Sequence, residues 1–316
     1  MAITRLPTLA VRGLVIVSAF AFVACSPAAS SAPSATSTVV PASEAPASPS
    51  EAPASEAPSA EPSEAALQEF AITGTDYAFE MPATIPAGLT SITLTNEGKE
   101  EHQAQVAGIN EGSTFEDLTA ALQGNNEVEA LGMLTLSGGP TGVVPGDSGT
   151  TAGNLPPGQY AILCFVRSPD GVPHFAKGMI APFEVTGTAS SEELPAGDAE
   201  MTLQDFAFVG LNELDAGAHT ISVENTGPQP HEATLVELAE GVEIGDLIPM
   251  FTSTDPPTGA PPFTSVGGIT AIMPNTSATI DVDLEPGNYA WLCFVPDPAS
   301  GQPHVVLGMI GALTVE

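Results

Sequence analysis

Apart from Cys25 the chain carries two cysteines, Cys164 and Cys293, which lie 129 positions apart. His102 and His231 repeat at the same interval, so each precedes its own cysteine by 62 residues. Beyond the cysteines come His174 with Met179 and His304 with Met309, the methionine five positions after the histidine in both places. A thiolate, two imidazoles and a weakly held thioether form a donor set that suits both cuprous and cupric ions with little rearrangement, which favours fast one-electron transfer. Two simpler readings stand beside it. A buried cysteine is commonly an inert small hydrophobe, and two cysteines outside the cytoplasm invite a Cys164–Cys293 disulfide. Neither explains why histidine and methionine recur beside each thiol.

The elements that must position these residues repeat with them. Asp76-Tyr77-Ala78-Phe79 answers to Asp205-Phe206-Ala207-Phe208, and Asn96-Glu97-Gly98 to Asn225-Thr226-Gly227. Pro157-Gly158-Gln159-Tyr160-Ala161 matches Pro286-Gly287-Asn288-Tyr289-Ala290. Self-similarity over most of a domain's length signals duplication. It predicts tandem domains over 66–187 and 198–316, joined by the polar stretch 188–198. Residues 91–95 and 220–224 alternate, are rich in β-branched side chains and lead into Asn-x-Gly turns; residues 160–165 and 289–294 follow Pro-Gly turns and also read as strands. Only 114–122 and, more weakly, 243–251 look helical, with Pro249 limiting the second. The expected fold is all-β, two tandem Greek-key β-sandwich domains, each with one short helix. Tyr160, Tyr289 and Trp291 are expected in the cores, and His219, which has no counterpart in the first copy, at the surface.

Asn96-x-Gly98 followed by His102, then Cys164, then His174-Phe175-Ala176-Lys177-Gly178-Met179, resembles the small blue copper proteins, the cupredoxins of the plastocyanin, azurin, auracyanin and sulfocyanin group. The second copy resembles them equally, through Asn225-x-Gly227, His231, Cys293 and His304-Val305-Val306-Leu307-Gly308-Met309. The resemblance implies a cupredoxin fold, a type 1 copper ion in each domain and one-electron transfer. Carried over by position, the ligands are His102, Cys164, His174 and Met179, and separately His231, Cys293, His304 and Met309. The chain departs from the family between cysteine and histidine, where nine residues in one copy and ten in the other replace a shorter spacer. Ser168-Pro169-Asp170-Gly171 and Pro298-Ala299-Ser300-Gly301 are turn formers, so each excursion is expected to bud out and return the histidine.

The beginning of the chain reads differently. Arg5 and Arg12, an apolar run over 14–23 and Ala24 before Cys25 read as an export signal of lipoprotein type over 1–25, with Cys25 as the lipidated residue. A plain secretory signal is the alternative, and both place the protein outside the cytoplasm. Residues 26–65, almost all Ala, Ser, Pro and Glu, cannot bury enough apolar surface to order themselves and are expected to form a disordered tether. The net charge is −33, and from Thr188 onward there is no Lys or Arg. Such a chain repels nucleic acid and anionic lipid, leaving membrane attachment to the lipid anchor; the charge either steers a redox partner with a basic docking surface or serves solubility in a salty or acidic setting, and by itself names no partner.

Two-domain cupredoxins also invite comparison with copper enzymes, which need additional histidine-rich centres. Here four of five histidines are taken up by the two ligand sets, and no hydrolase, phosphate-loop or zinc-protease motif is present. The expectation is therefore a non-enzymatic electron carrier with two coppers. A lipoprotein that sequesters or delivers copper, and a metal-free adhesion or scaffold module, are the alternatives.

Overall fold

The computed structural model describes residues 67–124, 126–253 and 261–316. The signal, Cys25 and the tether read from residues 1–65 lie outside the described residues. In the first half the strands are β1 (Gln68–Thr75), β2 (Ala78–Glu80), β3 (Thr84–Pro86), β4 (Gly88–Asn96), β5 (Gln105–Ile109), β6 (Leu134–Leu136), β7 (Ser148–Leu155), β8 (Gly158–Leu163) and β9 (Ile180–Thr186). The second half repeats the plan with β10 (Ala199–Gln204), β11 (Ala207–Val209), β12 (Glu213–Leu214), β13 (Gly217–Asn225), β14 (His231–Leu238), β15 (Phe263–Ile272), β16 (Ser277–Leu284), β17 (Gly287–Leu292) and β18 (Ile310–Val315).

Period-two patterning builds each sandwich. On β1 and β4 alternate residues Phe70, Ile72, Ile92 and Leu94 turn inward, where they meet Tyr160 and Ile162 of β8 and Phe183 and Val185 of β9. The second half does the same with Met201, Leu203, Ile221 and Val223 against Tyr289, Trp291 and Leu313. Not every sheet neighbour is a sequence neighbour, as a Greek key requires: β8 pairs with β5 as well as with β9, and β17 with β14 as well as with β18. Tyr160 and Tyr289 keep their rings in the core while each hydroxyl donates to a backbone carbonyl, of Pro156 and Glu285.

The two halves are joined by main chain. Strand β16 of the second half pairs antiparallel with β7 of the first, Thr279 opposite Ala152 and Asp281 opposite Thr150, giving one eight-stranded sheet, β11-β10-β13-β16-β7-β4-β1-β2. A second seam runs where Thr270 N donates to Gly139 O at 2.8 Å and Gly138 N donates to Ala271 O at 3.0 Å.

Helix α1 (Phe115–Gln123) starts one residue later than the sequence suggests because Thr114 is its N-cap: Thr114 Oγ1 accepts from Asp117 N, and Thr114 N in turn donates to Asp117 Oδ2. A further helix, α2 (Glu127–Gly132), was not expected. In the second half α3 (Ile244–Thr252) continues past Pro249. That proline occupies the second turn, so only one intrahelical bond is lost. The 188–198 stretch is irregular but tied down, with Gly197 N donating to Ser222 Oγ and Asp198 N to Thr220 O.

Candidate metal centres

Each centre begins at a buried asparagine. Asn96 ends β4, and its amide nitrogen donates to Glu100 O and Val143 O, both at 2.8 Å, while its side-chain oxygen accepts from Gly98 N at 2.8 Å. Asn225 does the same with Gln229 O, Ile272 O and Gly227 N. The loop folded beneath each amide delivers His102 or His231 into the interior, both fully buried. Glycine in the turn is required by space. A Cβ on Gly98 would lie 2.5 Å from His102 Nε2 and 2.4 Å from Asp76 Oδ1; one on Gly227 would lie 2.7 Å from His231 Nε2.

The cysteines lie one residue past β8 and β17 rather than inside the strands, so each thiol belongs to the loop that follows. Those loops are small hairpins. Arg167 pairs with Pro173 and Pro296 with Pro303; His174 N then donates to Val166 O at 2.8 Å and His304 N to Val295 O at 2.9 Å. The extra residues thus leave the sandwich, turn, and return the histidine beside its cysteine. A 3-10 turn follows in each half, His174–Lys177 and His304–Leu307, closed by glycines with φ of 117° and 110°.

The outcome is a convergence of three donor atoms in each half. His102 Nδ1 lies 3.1 Å from His174 Nδ1, which lies 3.4 Å from Cys164 Sγ. His231 Nδ1 lies 3.0 Å from His304 Nδ1, which lies 3.4 Å from Cys293 Sγ. Within each trio all donors lie within 4.8 Å of one another, and every residue is buried. Met179 and Met309 are fully buried at the ends of the same loops, where each backbone N donates to the carbonyl of its histidine at 2.9 Å. Met179 Cε and His102 Cδ2 close on one point, each 3.4 Å from where a Cβ on Gly74 would stand. Both thiols are free and each faces its own histidines, which rules out the disulfide reading.

Both halves are cupredoxin-like. No family model matches the sequence, and no curated protein matches it either. Solved structures similar to the chain include dithionite-reduced auracyanin from the photosynthetic bacterium Roseiflexus castenholzii, at 24% identity over 37% of this chain and 95% of that one, TM-score 0.27. A multicopper oxidase is similar at 14% identity over 79% of this chain and 89% of its own, TM-score 0.24. A copper-containing nitrite reductase from Thermus scotoductus is similar at 14% identity over 79% and 62%, TM-score 0.24. The fold assignment rests on the strand order and the two ligand groups of the chain itself.

A soft thiolate with two imidazoles is a donor set for copper, and the trio in each cupredoxin half fits it. Burial pushes the Cys164 thiol up to about 12 and raises that of Cys293 too. A backbone N–H points at each sulfur, from Gln103 and from Glu232, both at 3.5 Å, ready to stabilise a thiolate. Burial lowers the pKa of His102, of His231 and of His304, the last to about 4, with the facing histidine adding to the effect at His102 and His304. Burial thus favours the neutral form of these three imidazoles, the form that binds metal.

Carboxylates face the outer nitrogens of His102, His231 and His174, which the ligand spacing does not reveal. Asp205 Oδ1 lies 2.9 Å from His231 Nε2; Asp76 Oδ1 lies 3.2 Å from His102 Nε2, within ion-pair range but out of line for a hydrogen bond. Their recurrence in the repeated Asp-aromatic-Ala-Phe segment was the available signal. Glu100 Oε2 lies 2.9 Å from His174 Nε2. His219 belongs to neither centre. It lies partly exposed on β13, bonded to Asp198 and to Asp215 O rather than freely solvated at the surface. Trp291 is fully buried in the second core, as expected.

Proposed function

We propose that the chain is an electron carrier with one type 1 copper site in each cupredoxin half, cycling each metal between its cuprous and cupric states. The observation that carries this reading is the buried Nδ1, Nδ1 and Sγ trio repeated in both halves. His102, Cys164 and His174 would hold one ion and His231, Cys293 and His304 the other, with Met179 and Met309 as the thioethers that would complete each set. Rigid strands and hairpin loops keep the donors in place through the change of charge, so little reorganisation opposes transfer.

The carrier reading is favoured over an enzyme because the fifth histidine, His219, is already bonded to Asp198 and Asp215 and leaves no imidazole for a substrate-reducing centre. The leader over 1–25 supports an extracytoplasmic protein held by lipid at Cys25. A net charge of −33 over the whole sequence supports a redox protein partner with a basic docking face.

Copper analysis and an optical spectrum of the purified chain test this. The parent is expected to hold two coppers with the intense visible band of a copper–thiolate bond, bleached by a mild reductant and restored by oxidation. Cys164→Ser and Cys293→Ser are each expected to hold one. Unchanged stoichiometry in the variants refutes the ligand assignment, and copper that binds without redox cycling points to storage or delivery instead.

A further inference from the structure

The two donor trios are alike on their inner side and differ at their outer nitrogens, most of all at the second histidine of each set. In the first half His174 Nε2 lies 2.9 Å from Glu100 Oε2, and the other oxygen of Glu100 accepts from the Tyr77 hydroxyl at 2.8 Å. Tyr77 is in turn held by Ser168 Oγ, which donates to its oxygen at 3.2 Å, and by Lys177 Nζ at 3.3 Å. The Lys177 charge is answered by Asp170 at 2.8 Å, so it does not neutralise Glu100. The cluster fixes one carboxylate against the ring of one proposed copper ligand.

The second half has none of it. Gln229 stands for Glu100, Phe206 for Tyr77 and Leu307 for Lys177. The Gln229 amide donates to Asp205 at 3.1 Å rather than serving the ring, and His304 Nε2 is buried with no partner. Phe206 covers that ring, centroids 5.1 Å apart and nearly edge-on. Asp76 and Asp205 face the other histidine in both halves, Asp205 in hydrogen-bonding geometry and Asp76 only within ion-pair range, which is a second, separate difference between the centres.

We propose that Glu100 is a tuning residue that lowers the reduction potential of the first-half centre through His174, a control the second half lacks. The inference rests on the copper reading above. A carboxylate on the outer nitrogen makes the imidazole a stronger donor to the metal. Its negative charge, in a partly buried site where screening is weak, favours the cupric over the cuprous state. His304, whose outer nitrogen is buried without a hydrogen-bond partner, receives neither contribution. Glu232, a buried acid beside Cys293 where the first half has Gln103, is a separate influence on the second centre. The tuning effect is therefore read within one half at a time.

The test is a spectroscopic redox titration of the full chain carrying Cys293→Ser, which leaves only the first centre, with and without Glu100→Gln. The glutamine variant is expected to reduce at least tenfold more readily, a rise of about 59 mV for a one-electron couple, with the visible band and copper content kept. The converse, Gln229→Glu in a Cys164→Ser chain, is expected to lower the potential of the second centre. A second readout is structural: in the cuprous, diamagnetic protein the Nε2 proton of His174 is expected to be protected from solvent exchange, and Glu100→Gln to weaken that protection. Blue, reversible centres whose potentials ignore both substitutions overturn the tuning role and leave the carrier reading intact. A parent chain without a copper–thiolate band overturns the carrier reading and the inference with it.

Discussion

Gly98 and Gly227 show how narrow the tolerance is at the level of single residues. Each stands where a methyl group would strike the outer edge of a proposed ligand histidine. Gly98→Ala is expected to cost about 1–3 kcal/mol through overpacking and to weaken copper retention in the first half alone, which metal analysis after dialysis measures. Protons act on the same side chains. Free imidazole titrates near 6.5, whereas burial holds His102, His231 and His304 below that, His304 at about 4. As pH falls, the unfolded rings take up protons before the folded ones do. The stability these rings contribute is present above about 6.5 and is lost on acidification through their folded values. The melting temperature of metal-free protein is expected to fall steadily between about pH 6.5 and 4. His219 has the opposite sign: Asp198 raises its pKa, so its contribution is present below about 6.5 and lost as pH rises through the folded value. His219→Asn is expected to remove that alkaline loss and leave the acid limb unchanged.

At the scale of elements, two kinds of contact separate structure from site. Asn96 satisfies the carbonyl of Glu100 and shares that of Val143 with His102 N, so Asn96→Ala takes the donor from the first and weakens the second. An unsatisfied buried carbonyl costs about 1–3 kcal/mol, and the loop that carries His102 loses its anchor. A lower denaturation midpoint together with loss of the first-half copper is expected. Thr114 caps α1 and is used only for folding. Thr114→Ala is expected to cost about 1 kcal/mol and to leave copper stoichiometry untouched. Chemical denaturation and metal analysis of the two variants side by side check both statements.

The whole molecule is set by the seams between the halves. Strands β7 and β16 pair across them, and Gly139 and Thr270 exchange a main-chain bond beside that pairing. Separating the halves would expose a strand edge in each, with its backbone groups unpaired. One cooperative thermal transition is expected for residues 67–316, and calorimetry that resolves two independent transitions contradicts it. Metal bound in one half should then stabilise both, since a ligand of the native state shifts the entire equilibrium. In a Cys164→Ser chain, copper loading of the second half is expected to slow hydrogen exchange in β4 and β7 of the first.

Much of this was legible in residue order because duplication prints the same pattern twice. The interval of 129 paired Cys164 with Cys293 and His102 with His231, and alternating side chains marked the strands that became β4 and β13. Local chemistry sufficed there, since donor types and strand period are properties of neighbouring residues. What the linear order could not state was which remote groups meet. The carboxylate of Glu100 reaches His174 across 74 positions of chain, His219 finds Asp198, and β16 joins β7, because chain folding brings them into register. Donor identity was written in composition and spacing. The surroundings of each donor, and the union of the two halves, came from packing and hydrogen bonding between segments that no local pattern links.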